Sequence, residues 1–313
     1  MTYKLPDKVI REINVKLLIF SFIYNCEYAT MIQTQISVVS RKHGQLSFSF
    51  YAEAFFYLHI IQQYEIDNYI ILDICIYRDP SMLDCMYVET MKSMQQNPNY
   101  ANMFRSRPAR FVLPLYPVAW EKGNNKNLVN LENTNATAYY LDDGKIFVEP
   151  EEICNFGCET PRINYESYLG NQSYVSTAEK HSLDTFTPVT AHSTAIICLN
   201  VARRRDLQIL QEPFLPWQPY RYFYAISSDV DGENPGTIIK VDTLTKTAKN
   251  LSEDGGVILA AMVWGGKDTN HAGLVVLDAK TFIEIGRAEF KTPGPVPKCL
   301  HGWFLPQSCS KEV

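Results

Sequence analysis

Two histidines in this 313-residue chain stand where chemistry is conceivable. His59 lies inside the apolar, aromatic run Phe55-Phe56-Tyr57-Leu58-His59-Ile60-Ile61, six residues before Glu65. His301 lies in Lys298-Cys299-Leu300-His301-Gly302-Trp303-Phe304, close to the last residue, Val313. Imidazole titrates near neutrality and is the commonest side-chain metal ligand, so a histidine at the edge of a greasy segment could hold a metal or move a proton. The competing reading is a hydrogen-bonded core histidine, and His59 alone does not separate the two. Eight cysteines, at 26, 75, 85, 154, 158, 198, 299 and 309, form no C-x-x-C. Cys154 and Cys158 are the only close pair, with no second pair to complete a zinc site. In a chain this long they read as reduced thiols, which implies a cytoplasmic setting.

Composition bounds the elements that must position those side chains. Hydrophobic residues make up 46% and aromatics 12%, enough for a large core. A net charge of -5 and a pI near 5.7 give no reason to expect nucleic acid as a partner. Lys8, Arg11 and Lys16 precede Leu17-Leu18-Ile19-Phe20-Ser21-Phe22-Ile23-Tyr24, a run that imitates a signal-peptide core. It is too short to span a bilayer, and no small-residue cleavage site follows.

Residues 1–50 carry no clear period and read as a separate N-terminal segment; from Ser47 the pattern turns to strands. Tyr69–Tyr77 is a near-continuous apolar run, and Arg110–Leu115 is another, its Pro114 suited to an edge or a strand end. Met86–Met94 could form a short helix closed by Asn97-Pro98. Thr137–Leu141, the turn Asp142-Asp143-Gly144 and Lys145–Val148 predict a hairpin. Thr237–Lys246 and Gly273–Glu284 share one design of apolar strand, Asp, turn and strand; their Asp242 and Asp278 are 278 − 242 = 36 residues apart. Each Asp can bond the backbone of its own turn. The period is close to that of propeller blades, with a two-sheet sandwich as the competitor. Residues 171–219, rich in Ser, Thr, Pro and Gln, containing Arg203-Arg204-Arg205 and closed by Pro213, Pro216 and Pro219, read as an insertion with little core of its own.

Several stretches occur in a specific order: Phe56-Tyr57-Leu58-His59 through Tyr64-Glu65, Asp73-Ile74-Cys75, Asn97–Ala101 with Arg107–Leu115, and Gly157-Cys158-Glu159-Thr160-Pro161-Arg162-Ile163-Asn164-Tyr165. They are followed by Tyr220–Asp231, Asn234–Thr237, Ser252–Leu259 and Gly294–Phe304. In this ordered set, covering about 51–170 and 220–307, the chain resembles the carotenoid cleavage oxygenases. The resemblance implies an all-β fold, a seven-bladed β-propeller of which residues 51–313 would be roughly the C-terminal half, interrupted at 171–219. It implies Fe(II) held by four histidines, two of them matched by His59 and His301. Glu159 matches a glutamate that accepts the other ring N–H of an iron-bound histidine. The two remaining histidines belong to an N-terminal half that this chain is not expected to contain, and a Ser-Glu-Pro segment expected near Asn250–Ser252, with a further glutamate, is missing.

The implied reaction is oxidative cleavage of a carotenoid double bond by dioxygen to retinal-type aldehydes, with trans-to-cis isomerisation in some members. Uptake of such a substrate from lipid implies a peripheral membrane contact. The alternative is a catalytically silent propeller fragment that binds a carotenoid, a retinoid or a protein. His43, His181, His192 and His271 fall outside the matching motifs, and Glu65 is expected only to make a strand-end or turn contact.

Overall fold

The computed structural model describes residues 11–16, 33–40, 45–87, 103, 105–117, 126–163, 194–202, 219–227, 237–248, 256–264 and 270–294. His301, the helix expected at Met86–Met94 beyond Tyr87, the arginine run 203–205 and most of 171–219 lie outside them. Strands run in chain order as β1 (Arg11–Lys16), β2 (Gln33–Ser40), β3 (Leu46–Glu53), β4 (Phe56–Ile66), β5 (Tyr69–Tyr77) and β6 (Arg107–Pro114). There follow β7 (Thr137–Tyr140), β8 (Ile146–Glu149), β9 (Glu151–Glu152), β10 (Cys158–Ile163), β11 (Thr194–Ala202) and β12 (Tyr222–Ser227). The last are β13 (Ile238–Asp242), β14 (Thr247–Ala248), β15 (Val257–Trp264), β16 (His271–Asp278) and β17 (Glu284–Lys291). A 3-10 turn at Pro80–Met86 is begun by Asp79, whose carboxylate accepts the Ser81 N–H.

These strands form four sheets: β1-β2-β3-β8-β7, β4-β5-β6-β9, β10-β12-β13-β14 and β11-β15-β16-β17. Among the described residues the chain is mostly strand, as its turn-punctuated apolar runs imply. Two differences from the sequence reading stand out. Strands begin at Arg11, well before Ser47, and β11 lies inside the stretch read as an insertion and pairs antiparallel with β15. The predicted hairpin is present as β7–β8, with Gly144 at φ 80° where a side chain would be strained. Pro114 ends β6, where it costs no ladder bond to a further residue.

The second sheet explains why β5 is so apolar. It is covered on both faces, with Ile70, Ile71, Leu72, Ile74 and Cys75 almost wholly buried. Each such aliphatic side chain contributes about 1.5–3 kcal/mol of burial. Across this apolar sheet runs one row of polar residues in register: Gln62 on β4, Asp73 on β5, Arg110 on β6 and Glu151 on β9. The Arg110 guanidinium donates twice to Asp73, at 2.8 Å each, and the Tyr220 hydroxyl donates to Asp73 at 2.7 Å. The Lys246 ammonium, from the β13–β14 turn, donates to Glu151 at 2.6 Å. The third sheet is thus fastened to the second by Tyr220 and Lys246 as well as by apolar packing. Burial pushes the phenols of Tyr64 and Tyr220 up, Tyr64 to about 12, so both stay protonated donors.

The repeat spaced at 36 residues is structural. Asp242 Oδ1 accepts the N–H groups of Leu244 and Thr245, and Asp278 Oδ1 accepts those of Lys280 and Thr281. Lys246 and Phe282, four residues after each Asp, both take positive φ, 56° and 58°. This is a type I turn closed by one left-handed residue, a standard hairpin connection. Burial opposes ionisation of Asp242, but Arg221 and the two turn N–H groups outweigh it and hold the carboxyl below its usual value of 3.8. A depressed carboxyl contributes stability above its unfolded pKa and loses it as pH falls through the folded one. Asp242→Ala is therefore expected to lower stability by about 2 kcal/mol at pH 7. In urea melts taken at falling pH, the gap to wild type should close only below the unfolded value of about 3.8.

Candidate functional site

His59 sits where β4 is least regular. Pairing with β5 runs Tyr57↔Ile76, Ile60↔Ile74 and Gln62↔Asp73, so β4 carries an extra residue on each side of Ile60, and His59 lies in the first irregularity. Bulges turn side chains out of the alternation that a strand would otherwise impose. Opposite, β10 is irregular between Glu159 and Arg162, and Thr160 has φ 50°. A β-branched residue in that region costs about 1–3 kcal/mol. Two local bonds support it: the Thr160 N–H donates to Glu159 Oε2 at 2.7 Å, and its hydroxyl donates to the Glu159 carbonyl at 2.8 Å. The first strands of the second and third sheets, β4 and β10, pack against each other here.

Between them the imidazole and the carboxylate meet. His59 Nδ1 is 2.6 Å from Glu159 Oε2, with side chains only 14% and 13% exposed. The Tyr77 hydroxyl, at the end of β5, donates to Glu159 Oε1 at 2.8 Å. Tyr77 and the Thr160 N–H already treat the carboxylate as an acceptor, so Nδ1 carries the hydrogen and donates. In the neutral imidazole that leaves the lone pair on Nε2, the form in which a histidine binds a metal or takes a proton. Burial first, and then the Glu159 charge, push the Tyr77 phenol well above its usual range, so it remains a donor. Behind the pair, Cys75 and Cys158 are fully buried with sulfurs 3.6 Å apart. Burial pushes the Cys75 thiol well up and Cys154 to about 12, which makes both inert as nucleophiles.

Of the residues singled out in the sequence, His59 and Glu159 are brought together, whereas His301 lies outside the described residues. Arg162, the obvious alternative partner for Glu159, reaches the Pro161 carbonyl. Glu65 is near the end of β4, half-buried, and His271 opens β16 in the fourth sheet. Among the described residues no group of three or more His, Cys, Asp and Glu side chains could hold a metal. The fit to a metal is therefore that of one oriented imidazole. Tyr77 and Thr160 are the participants that sequence reasoning did not single out. Nothing in the order of residues says that the last residue of β5 faces β10, because only the register of three strands decides it.

The retinal pigment epithelial membrane protein (RPE65) family model matches residues 9–306. The carotenoid isomerooxygenase of Drosophila melanogaster is 35% identical over 88% of this chain and 50% of its own length. The enzyme of the same name from Galleria mellonella is 36% identical over 88% and 44%. The β,β-carotene 15,15′-dioxygenase of Gallus gallus is 33% identical over 88% and 46%. The chain thus spans about half the length of the curated relatives it matches. Among solved structures, cobalt-substituted Synechocystis apocarotenoid oxygenase matches at 19% identity with a TM-score of 0.47, over 87% of this chain and 43% of that one. No helix among the described residues is long and apolar enough to cross a membrane. By the match across residues 9–306, the chain belongs to the retinal pigment epithelial membrane protein family, the carotenoid oxygenases.

Proposed function

We propose that this chain is part of a nonheme Fe(II) dioxygenase that cleaves a carotenoid double bond to retinal-type aldehydes, with trans-to-cis isomerisation of a product as in its isomerooxygenase relatives. In this reading His59 binds the metal through Nε2, and His301 supplies a second imidazole. The four sheets are then blades of a seven-bladed ring whose remaining blades and ligands lie outside the matched half. The observation that carries the proposal is the 2.6 Å contact between His59 Nδ1 and Glu159, with Tyr77 and Thr160 holding the carboxylate in place. An anionic acceptor on the far ring nitrogen fixes the tautomer, stops ring rotation and raises the basicity of the metal-facing nitrogen. Bound iron held by neutral imidazoles would supply open positions and positive charge for dioxygen, whose two oxygen atoms end in the two aldehyde groups. The chain's own part is to orient the imidazole, with Phe56 and Met82 packed around the ring of Tyr77, whose hydroxyl holds Glu159. A cytoplasmic location with peripheral contact to lipid goes with this reading.

The test is iron content per chain together with chromatography of β-carotene incubations. His59→Ala is expected to lower bound iron at least about tenfold at fixed free metal, with aldehyde formation falling in parallel. Unchanged iron and unchanged product in that variant would overturn the metal role. Pigment that copurifies with an iron-free protein, visible by its absorbance, would favour a carotenoid-binding module instead.

A further inference from the structure

Strand β17 is the outer strand of the fourth sheet, paired among the described residues with β16 alone. Seven of its eight residues are exposed, including Ile285 at 44% and Phe290 at 55%. An exposed edge with apolar side chains is a template for adding a strand. Its charges make it selective. A bulge between Gly286 and Glu284 brings Glu284 onto the face of Arg287, and the guanidinium reaches Glu284 at 2.7 Å and Glu289 at 3.2 Å. Gly286, Ala288 and Phe290 occupy the other face.

For two copies joined edge to edge by a two-fold axis normal to the sheet, one residue must face itself. With Arg287 or Glu289 on the axis, like charges stand opposite each other, which is destabilising. With Phe290 there, the pairing runs out at Pro293, which has no N–H to give. With Ala288 on the axis, Arg287 faces Glu289 of the second copy twice over, giving a square of alternating charge. Phe290 then lies across from Gly286, where a Cβ would meet nothing closer than Val276 at 3.8 Å and an aromatic ring can cover the missing side chain. We propose that β17 is a self-association edge, pairing antiparallel with β17 of a second copy of this chain about Ala288. The inference is independent of the metal reading.

The experiment is sedimentation velocity of the full chain from about 1 to 200 µM, with circular dichroism to show that each variant is folded. Wild type should move from monomer to dimer in this range. Arg287→Glu and Glu289→Arg should each weaken the dimer about tenfold, since each turns two attractive cross-strand pairs into two repulsive ones. The double variant R287E/E289R recreates both pairs and should return to within about threefold of wild type. A chain that stays monomeric throughout, an association indifferent to both single changes, or a double variant no better than the singles would each overturn the proposal.

Discussion

Asp73→Ala is expected to destabilise the protein by about 3–5 kcal/mol, a large share of the stability of an ordinary chain. The carboxylate is wholly buried and receives two bonds from Arg110 and one from the Tyr220 hydroxyl, so its removal strands a guanidinium and a phenol in an apolar sheet. The penalty comes from the orphaned charge more than from any intrinsic worth of the pair. Replacing both partners, as in D73L/R110M, should therefore recover most of the loss, because a buried ion pair is often no better than apolar residues of similar volume. Tyr220→Phe should cost only about 1 kcal/mol, since Asp73 keeps both Arg110 bonds. Urea midpoints of the four proteins decide it. If D73A and D73L/R110M were equally unstable, the row Gln62–Asp73–Arg110–Glu151 would matter through shape and not through charge.

That row also marks where sequence reasoning stopped. Local features were legible because their causes are local. The near-continuous apolar run of β5, the Asp-Asp-Gly turn between β7 and β8, and the Asp-headed turns at Asp242 and Asp278 each need only neighbouring residues to make sense. Strands β1 and β2 were not anticipated, because Arg11–Lys16 and Gln33–Ser40 are too polar to stand out; Thr34, Ile36 and Val38 alternate into the core only once β3 is beside them. The sequence reading begins a strand at Arg110. Arg110 lies in the middle of β6 instead, since its charge is met across the ladder by Asp73, 37 residues earlier. His59 and Glu159 are 100 residues apart, and Tyr77 and Glu159 are 82 apart. The resemblance put the first pair on the same site; nothing could have put Tyr77 there before the register of β4, β5 and β10 was known.

Glu159→Gln is expected to keep the fold and to weaken iron binding about tenfold, whereas Glu159→Ala should weaken it nearer a hundredfold. The difference follows from counting donors at the carboxylate. Oε2 accepts from His59 Nδ1–H and the Thr160 N–H, and Oε1 accepts from the Tyr77 hydroxyl. A glutamine can place its carbonyl oxygen on the first two and give its amide N–H to the phenol oxygen, which then accepts. Every polar group stays satisfied, and only the negative charge behind the imidazole is lost. Alanine instead leaves the ring without the acceptor that fixes its tautomer, and leaves the buried Tyr77 hydroxyl without that partner. Iron titrated into the three proteins at pH 7 should rank wild type, E159Q and E159A in that order, while urea midpoints separate E159A alone from the rest. An E159Q chain that bound iron as tightly as wild type would mean that the carboxylate serves the joint between β4 and β10 and not the electronics of the histidine. The restoring comparison is Glu159→Asp, which keeps the charge on a shorter arm: it should bind iron less tightly than wild type through lost reach, with its melting behaviour closer to E159A than to E159Q.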